Sequence, residues 1–333
     1  MKIVVDDKIP YIREKLEKLA DEVVYLRGTD IKAVDVKDAD ALVVRTRTRC
    51  DEQLLKGSNV RFVATATIGY DHLDTHYLEQ AGISWTNCPG CNAGSVAQYV
   101  ETSLLLIARE RGLRLQGATL GVVGCGHVGS KVCDVAHRLG MRVLVCDPPL
   151  GRADFVELET IEREADVITF HVPLTREGPH ATWHMADVAF FGRLVRAPYI
   201  INTSRGEVVD GTALLDALRS GKVADAVLDV WEHEPQIDPQ LLERVMIGTP
   251  HIAGYSADGK VNADNMVIDA LCRHFHLPHP GLIVAPSDGR QHGDNPLDWY
   301  NPMADSRQLK ADAALFEQLR NEYPVRREQY DCQ

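Results

Sequence analysis

No stretch of this chain is apolar for long enough to cross a bilayer. The longest apolar runs, such as Leu104 to Ala108, fall far short of the ~20 residues a spanning helix needs. Positive charge is also scarce: 36 Lys and Arg against 48 Asp and Glu leave a net charge of −12. That argues against nucleic acid as a main partner, because phosphate backbones need basic surface. It still permits a small anion held by a local arginine cluster. The opening residues, Met1 to Asp7, form a strand-like run followed by acids, with no secretory apolar core and no cleavage site. The expectation is a cytoplasmic protein with no membrane partner. Internal repeats are absent, and no segment before residue 280 is low in complexity.

What is there fits a globular chain of 333 residues, long enough for two or three domains. Of its eight Cys, six (Cys50, Cys88, Cys91, Cys125, Cys133 and Cys146) lie in the first half. In a chain this long without secretory features, free thiols are expected. Cys88-Pro-Gly-Cys91 leaves a choice. A redox pair needs a thioredoxin-type setting, and a zinc site needs a second ligand pair, which does not follow. The plainer reading is a turn into a helix, with Asn92 to Ser95 supplying the cap. No metal is expected.

Short apolar strands alternate with helical segments. Lys2 to Val5, Ala41 to Val44 and Phe62 to Thr65 read as strands, and Ile9 to Leu19 as a helix. The rhythm predicts a parallel sheet. Val96, Val100, Leu104 and Ile107 recur at helical spacing, which predicts one long helix over Ala93 to Arg111. A second series of strands follows at Thr119 to Val123, Arg142 to Cys146, Asp166 to Phe170, Tyr199 to Asn202, Ala226 to Leu228 and Val245 to Ile247. Helices such as Val128 to Leu139 and Gly211 to Ser220 separate some of them. This is the layout of a doubly wound nucleotide-binding domain. Residues 278 to 305 are rich in Pro, Gly, Asp and Asn and read as irregular. A last helix is expected over Ser306 to Glu322.

Gly124-Cys125-Gly126-His127-Val128-Gly129 is a GxGxxG turn. It follows a strand, opens a helix, and is followed by a second strand ending in Asp147, 18 residues after Gly129. That context gives the pattern its meaning. Gly124 permits the tight turn, Gly126 lets backbone approach a pyrophosphate at the helix N-terminus, and Gly129 lets helix and strand pack closely. Asp147 suits ribose hydroxyls and repels a 2′-phosphate, so NAD is favoured over NADP.

Three further residues follow expected strands. Arg205 lies in Asn202-Thr203-Ser204-Arg205-Gly206, Glu234 in Trp231-Glu232-His233-Glu234-Pro235, and His251 in Thr249-Pro250-His251-Ile252-Ala253-Gly254. Oxidising a 2-hydroxy acid removes a hydride from carbon and a proton from oxygen. Histidine is the residue type suited to taking that proton near neutral pH. A carboxylate such as Glu234 orients the imidazole, and a guanidinium such as Arg205 holds a substrate carboxylate.

Together, the glycine turn, Asn202 to Gly206, Leu228 to Pro235 and Thr249 to Gly254 resemble the motifs of the D-isomer-specific 2-hydroxyacid dehydrogenases, in order and spacing. More narrowly, Val44-Arg-Thr-Arg-Thr48, Thr65-Ala-Thr-Ile-Gly-Tyr-Asp-His72, Cys88 to Ala93, Cys146-Asp-Pro-Pro149 and His251 to Tyr255 resemble the branch acting on phosphorylated sugar acids. The resemblance implies two Rossmann-like doubly wound α/β domains with a cleft between them, plus a small C-terminal extension. Residues 1–93, completed by 253–276, would bind substrate, 94–252 would bind NAD, and 277–333 would form a dimerisation extension, shorter here than the branch usually has. It also implies Arg205, Glu234 and His251 as the catalytic trio and Thr46 and Thr67 as substrate contacts. Cofactor contacts are expected from the glycine turn, including His127 and Val128, and from Asp147, Thr203, Ser204, Asp229, Gly254 and Tyr255.

A phosphorylated substrate adds one expectation. Arg45, Arg47 and Arg49 alternate after a strand, and alternate residues of an extended segment share a side. Arg45 and Arg47 are therefore candidate phosphate ligands. Two rivals stand beside this reading. One is a relative acting on 3-phosphoglycerate or hydroxypyruvate. The other is an NAD-sensing corepressor that grips peptides instead of turning over substrate.

Overall fold

The computed structural model describes residues 1–329, and the backbone divides into two compact units. The first comprises Met1–Asn92 with Ser256–Asp288, and the second Ala93–Tyr255 with the residues from Gly289 onward. Both are α/β with wholly parallel sheets.

The first unit carries β1 (Lys2–Asp6), β2 (Glu22–Leu26), β3 (Ala41–Val44), β4 (Phe62–Thr65) and β5 (Ser84–Thr86) in the order β2-β1-β3-β4-β5. β3 and β4 are buried at every position, as expected of parallel strands covered on both faces. The helix Ala257–Phe275 returns to this unit and packs Ala263, Val267 and Leu271 with Ile3, Val5 and Phe62. β2 and β5 lie at the sheet edges and are not among the strands expected from the sequence: β5 is only Ser84-Trp85-Thr86, while β2 does carry an apolar run, Val23 to Leu26.

The second unit carries β6 (Thr119–Val123), β7 (Arg142–Cys146), β8 (Val167–Phe170), β9 (Tyr199–Asn202), β10 (Asp225–Leu228) and β11 (Ile247–Gly248), ordered β11-β10-β9-β8-β6-β7. The direction of winding reverses between β6 and β8, at the topological switch point where such sheets bind ligands. Because every strand is parallel, the loops after β6, β7, β9, β10 and β11 emerge at one edge. The glycine turn, Asp147, Arg205, Glu234 and His251 all lie in those loops. The helix Ala93–Arg111 forms over the expected span. Its Tyr99, Leu104 and Ile107 are fully buried against this sheet, worth roughly 1.5–3 kcal/mol each.

Three local expectations change. The final helix breaks in two, Pro302–Ala311 and Phe316–Asn321. Asp312 adopts an extended conformation between them, and its carboxylate accepts from Ala314 N, the helix-interrupting habit of a short polar side chain. Asn92 supplies no cap to the long helix: its buried Oδ1 has no hydrogen-bond partner, and Ser95 Oγ instead donates to Ala253 O at 2.8 Å. Arg45 to Arg49 is not extended. It turns, with Thr48 N on Arg45 O, so the alternation argument does not apply there.

Among the described residues, no helix is long and apolar enough to cross a membrane.

Candidate active site

His251 follows β11, and its backbone is tied before its ring is considered. Asp229, just past β10, is 1% exposed. Its Oδ1 accepts from Thr249 Oγ1 at 2.6 Å and Ile252 N at 2.8 Å, its Oδ2 from Ala253 N at 2.9 Å, and its carbonyl from His251 N at 2.7 Å. Burial pushes the Asp229 carboxyl up, against the pull of His251 and of these hydrogen bonds. The loop is thus wrapped around one carboxylate. His251 sits within it at φ +57°, a left-handed conformation that costs a non-glycine residue and persists only where surroundings impose it.

The imidazole faces Glu234. Nδ1 lies 2.8 Å from Glu234 Oε2, while Oε1 accepts from Trp231 N at 3.0 Å. The Trp231 indole donates to Thr249 O at 2.9 Å, joining the two loops. The Glu234–Pro235 peptide is cis. Burial pushes the Glu234 carboxyl up, but the His251 hydrogen bond and charge, the Trp231 N–H and the Arg320 guanidinium together hold it below the usual carboxylate range. A carboxylate on Nδ1 orients Nε2 for proton exchange.

Arg205 lies after β9, half-buried, with Nη1 donating to Ser204 O at 2.8 Å. Asn202 organises its loop: Nδ2 donates to Arg205 O, and Oδ1 accepts from Ser204 N and Oγ. Thr203 Oγ1 lies 3.3 Å from His171 Nδ1. His171, after β8, was not singled out from the sequence, although its position past a strand end would have marked it. Desolvation holds its imidazole down to about 3, so the ring is neutral.

The glycine turn fits a dinucleotide. Gly124 has φ +90°, and a Cβ there would meet His171 O at 2.6 Å. A Cβ on Gly129 would meet Gly124 O at 2.0 Å, so only glycine lets helix His127–Arg138 begin against the strand. Gly126, by contrast, faces open space and leaves that helix without a side-chain cap, so its first amides are available to an anion. Asp147 Oδ2 accepts from Cys125 N at 2.6 Å, placing the acid over the turn.

The first unit holds the remaining candidates. Arg45 Nε lies 3.3 Å from Asp6 Oδ2, and Thr46 and Arg47 are exposed. Thr67 Oγ1 donates to Gly69 O at 2.9 Å and lies 2.7 Å from Thr65 Oγ1. Arg49 points away to Asp51. Cys88 and Cys91 form no disulfide, and the Cys88 thiol approaches Thr65 O and Ala263 O, its ionisation suppressed by burial.

Residues 97–253 match the NAD binding domain of the D-isomer specific 2-hydroxyacid dehydrogenases. The cofactor of this chain is NAD. An erythronate-4-phosphate dehydrogenase of Bacteroides fragilis is 53% identical over 99% of this chain and 97% of its own length. The chain belongs to that family. A further member from Cronobacter sakazakii is 42% identical, over 98% of this chain and 92% of its own. Among solved structures, an NAD-bound 3-phosphoglycerate dehydrogenase of Entamoeba histolytica superposes with a TM-score of 0.70, covering 83% of this chain and 95% of its own, at 29% identity. As in other members of its family, the chemistry here is that of an NAD-dependent oxidoreductase.

Proposed function

We propose that this enzyme oxidises 4-phospho-D-erythronate to 2-oxo-3-hydroxy-4-phosphobutanoate, a step towards pyridoxal 5′-phosphate (vitamin B6). The 2.8 Å contact between His251 and Glu234 carries the reaction type, and the full-length similarity to relatives of that name supports the substrate. NAD supplies the hydride acceptor. His251 Nε2 takes the C2 hydroxyl proton as the C2–H bond yields its electron pair and the carbonyl forms. Glu234 holds the ring in register and stabilises the imidazolium. Arg205 grips the substrate carboxylate and polarises the forming carbonyl. Thr46 and Thr67 contact substrate, and Arg45 and Arg47 receive its phosphate.

For the cofactor, Gly124, Gly126, His127, Val128 and Gly129 cradle the pyrophosphate, and Asp147 takes the ribose. Thr203, Ser204, Asp229, Gly254 and Tyr255 would supply the remaining contacts to NAD. Residues 1–93 with 253–276 serve substrate, 94–252 serve NAD, and 277–333 pair subunits in a cytoplasmic homodimer.

The test is NADH formation from 4-phospho-D-erythronate at mildly basic pH with a carbonyl trap, beside D-3-phosphoglycerate. Turnover of the four-carbon substrate alone is expected. Turnover of only another 2-hydroxy acid sinks the substrate assignment and leaves the acid–base pair standing.

A further inference from the structure

The C-terminal residues from Gly289 onward belong to the second unit, and what seats them there is clear. Ser306 Oγ accepts from Gly248 N at 3.0 Å. Arg326, 5% exposed, donates through Nη2 to Ser95 Oγ and to Ala253 O, and its guanidinium lies 4.2 Å from the Tyr300 ring centre. Asp305 Oδ2 accepts from the Tyr300 and Tyr323 hydroxyls at 2.9 and 3.0 Å. Two of these anchors act on the backbone that flanks His251, at Gly248 and Ala253.

Arg320 is different. It stands near the end of helix Phe316–Asn321, with its side chain 20% exposed. Its Nη1 lies 4.0 Å from Glu234 Oε2, the same oxygen that meets His251 Nδ1. Its Nη2 donates to Tyr255 Oη at 3.4 Å, and Nη1 is 3.5 Å from Glu317 Oε1. Its Nε is buried with no hydrogen-bond partner. The docking anchors do not involve Arg320, yet its charge faces the one carboxylate that orients the base. Desolvating a guanidinium against a carboxylate at this distance is costly unless the charge serves the arrangement.

We propose that Arg320 is a positioning residue for the reaction: it holds the Glu234 oxygen that His251 also meets and, through Tyr255 and Glu234, couples the C-terminal segment to the acid–base pair. The proposal rests on reading His251 and Glu234 as that pair. The charged and titratable groups facing the cluster are His251, Asp229 and Tyr255 on the sheet-edge loops and Glu317 on Arg320's own helix. Oxidation needs a neutral imidazole. A guanidinium beside Glu234 opposes the imidazolium directly and competes for its counter-ion. Removing the guanidinium therefore moves the acid limb of the pH–rate profile to higher pH.

The experiment compares Arg320→Met, Arg320→Lys and His251→Asn in the full chain, by steady-state kinetics across pH and by thermal melting. Arg320→Met is expected to lower kcat about tenfold, leave KM within about twofold and move the acid limb up by about half a pH unit, with Arg320→Lys restoring most of both. Wild-type kcat and an unmoved limb in Arg320→Met overturn the proposal. So does an equal loss in the Met and Lys variants accompanied by a fall in Tm, which makes Arg320 a structural anchor. Full activity in His251→Asn overturns instead the acid–base reading beneath it.

Discussion

The loop around His251 and the turn at Arg45 to Arg49 are built on opposite plans. Residues 249–253 are wrapped around a buried carboxylate, with four hydrogen bonds to Asp229 and a left-handed residue at the centre. The arginine turn is half-exposed, held by Arg45 on Asp6 and by Thr48 Oγ1 donating to Gly28 O at 2.8 Å. A proton transfer tolerates little displacement, because its rate depends on donor–acceptor geometry. A long, flexible cation can reach a phosphate from several positions. The difference in construction suits the different tasks proposed for the two segments.

The comparison breaks first at His251. His251→Ala is expected to cut kcat by about 10²–10⁴-fold with little change in NAD affinity, checked by turnover assay and cofactor fluorescence titration. Next comes Asp229→Ala, which strands the Ile252 and Ala253 amides. A stability loss of about 3 kcal/mol in denaturant unfolding, together with lost activity, is expected. If the variant keeps wild-type kcat, the loop does not need its buried carboxylate. In the turn, Arg45→Ala with Arg47→Ala should raise KM for the phosphorylated substrate by about 10–100-fold while kcat moves less. An unchanged KM removes the phosphate role.

A smaller effect tests the first unit's own buried acid. Asp264 is 1% exposed and accepts from Tyr11 N at 3.2 Å. Burial pushes its carboxyl up from 3.8 to about 7. A folded pKa above the unfolded value means stability is greatest below 3.8 and falls as pH rises towards 7. Asp264→Asn should therefore raise Tm at pH above 7 and lose that advantage below 3.8. An equal Tm difference at both extremes contradicts the shift. Smallest of all, Arg49→Ala, which removes an exposed pair with Asp51, should change stability by less than about 0.5 kcal/mol and leave KM alone.

Most strands were legible in the sequence because each is short and apolar. The central strands β3, β4, β6 and β9 and the edge strand β7 lie where the pattern puts them. β5 was not, since Ser84-Trp85-Thr86 is too short and mixed to stand out, whereas the Val23 to Leu26 run of β2 was a signal that the pattern reading did not use. The break at Asp312 was also hidden, because helical spacing continues through it while a local side-chain hydrogen bond decides otherwise. Of the site, Gly124, Gly129, Arg205, Glu234 and His251 were readable from motif and residue type. His171 offered only its place just past a strand end as a signal, and Arg320 offered none, since neither type nor spacing distinguishes it from the other Arg residues.

By itself, the sequence determined the two parallel α/β units and the residue types at the sheet edge. Hydrophobic period, glycine spacing and the demands of hydride chemistry are all local properties of the chain. Only the tertiary structure decided that Glu234 Oε2 meets His251 Nδ1, that Asp229 serves a loop 20 residues further on, and that Arg320 comes within 4.0 Å of Glu234 across 86 positions. Those pairings depend on which strand lies beside which and on where the chain returns, and neither is written in any one stretch of residues.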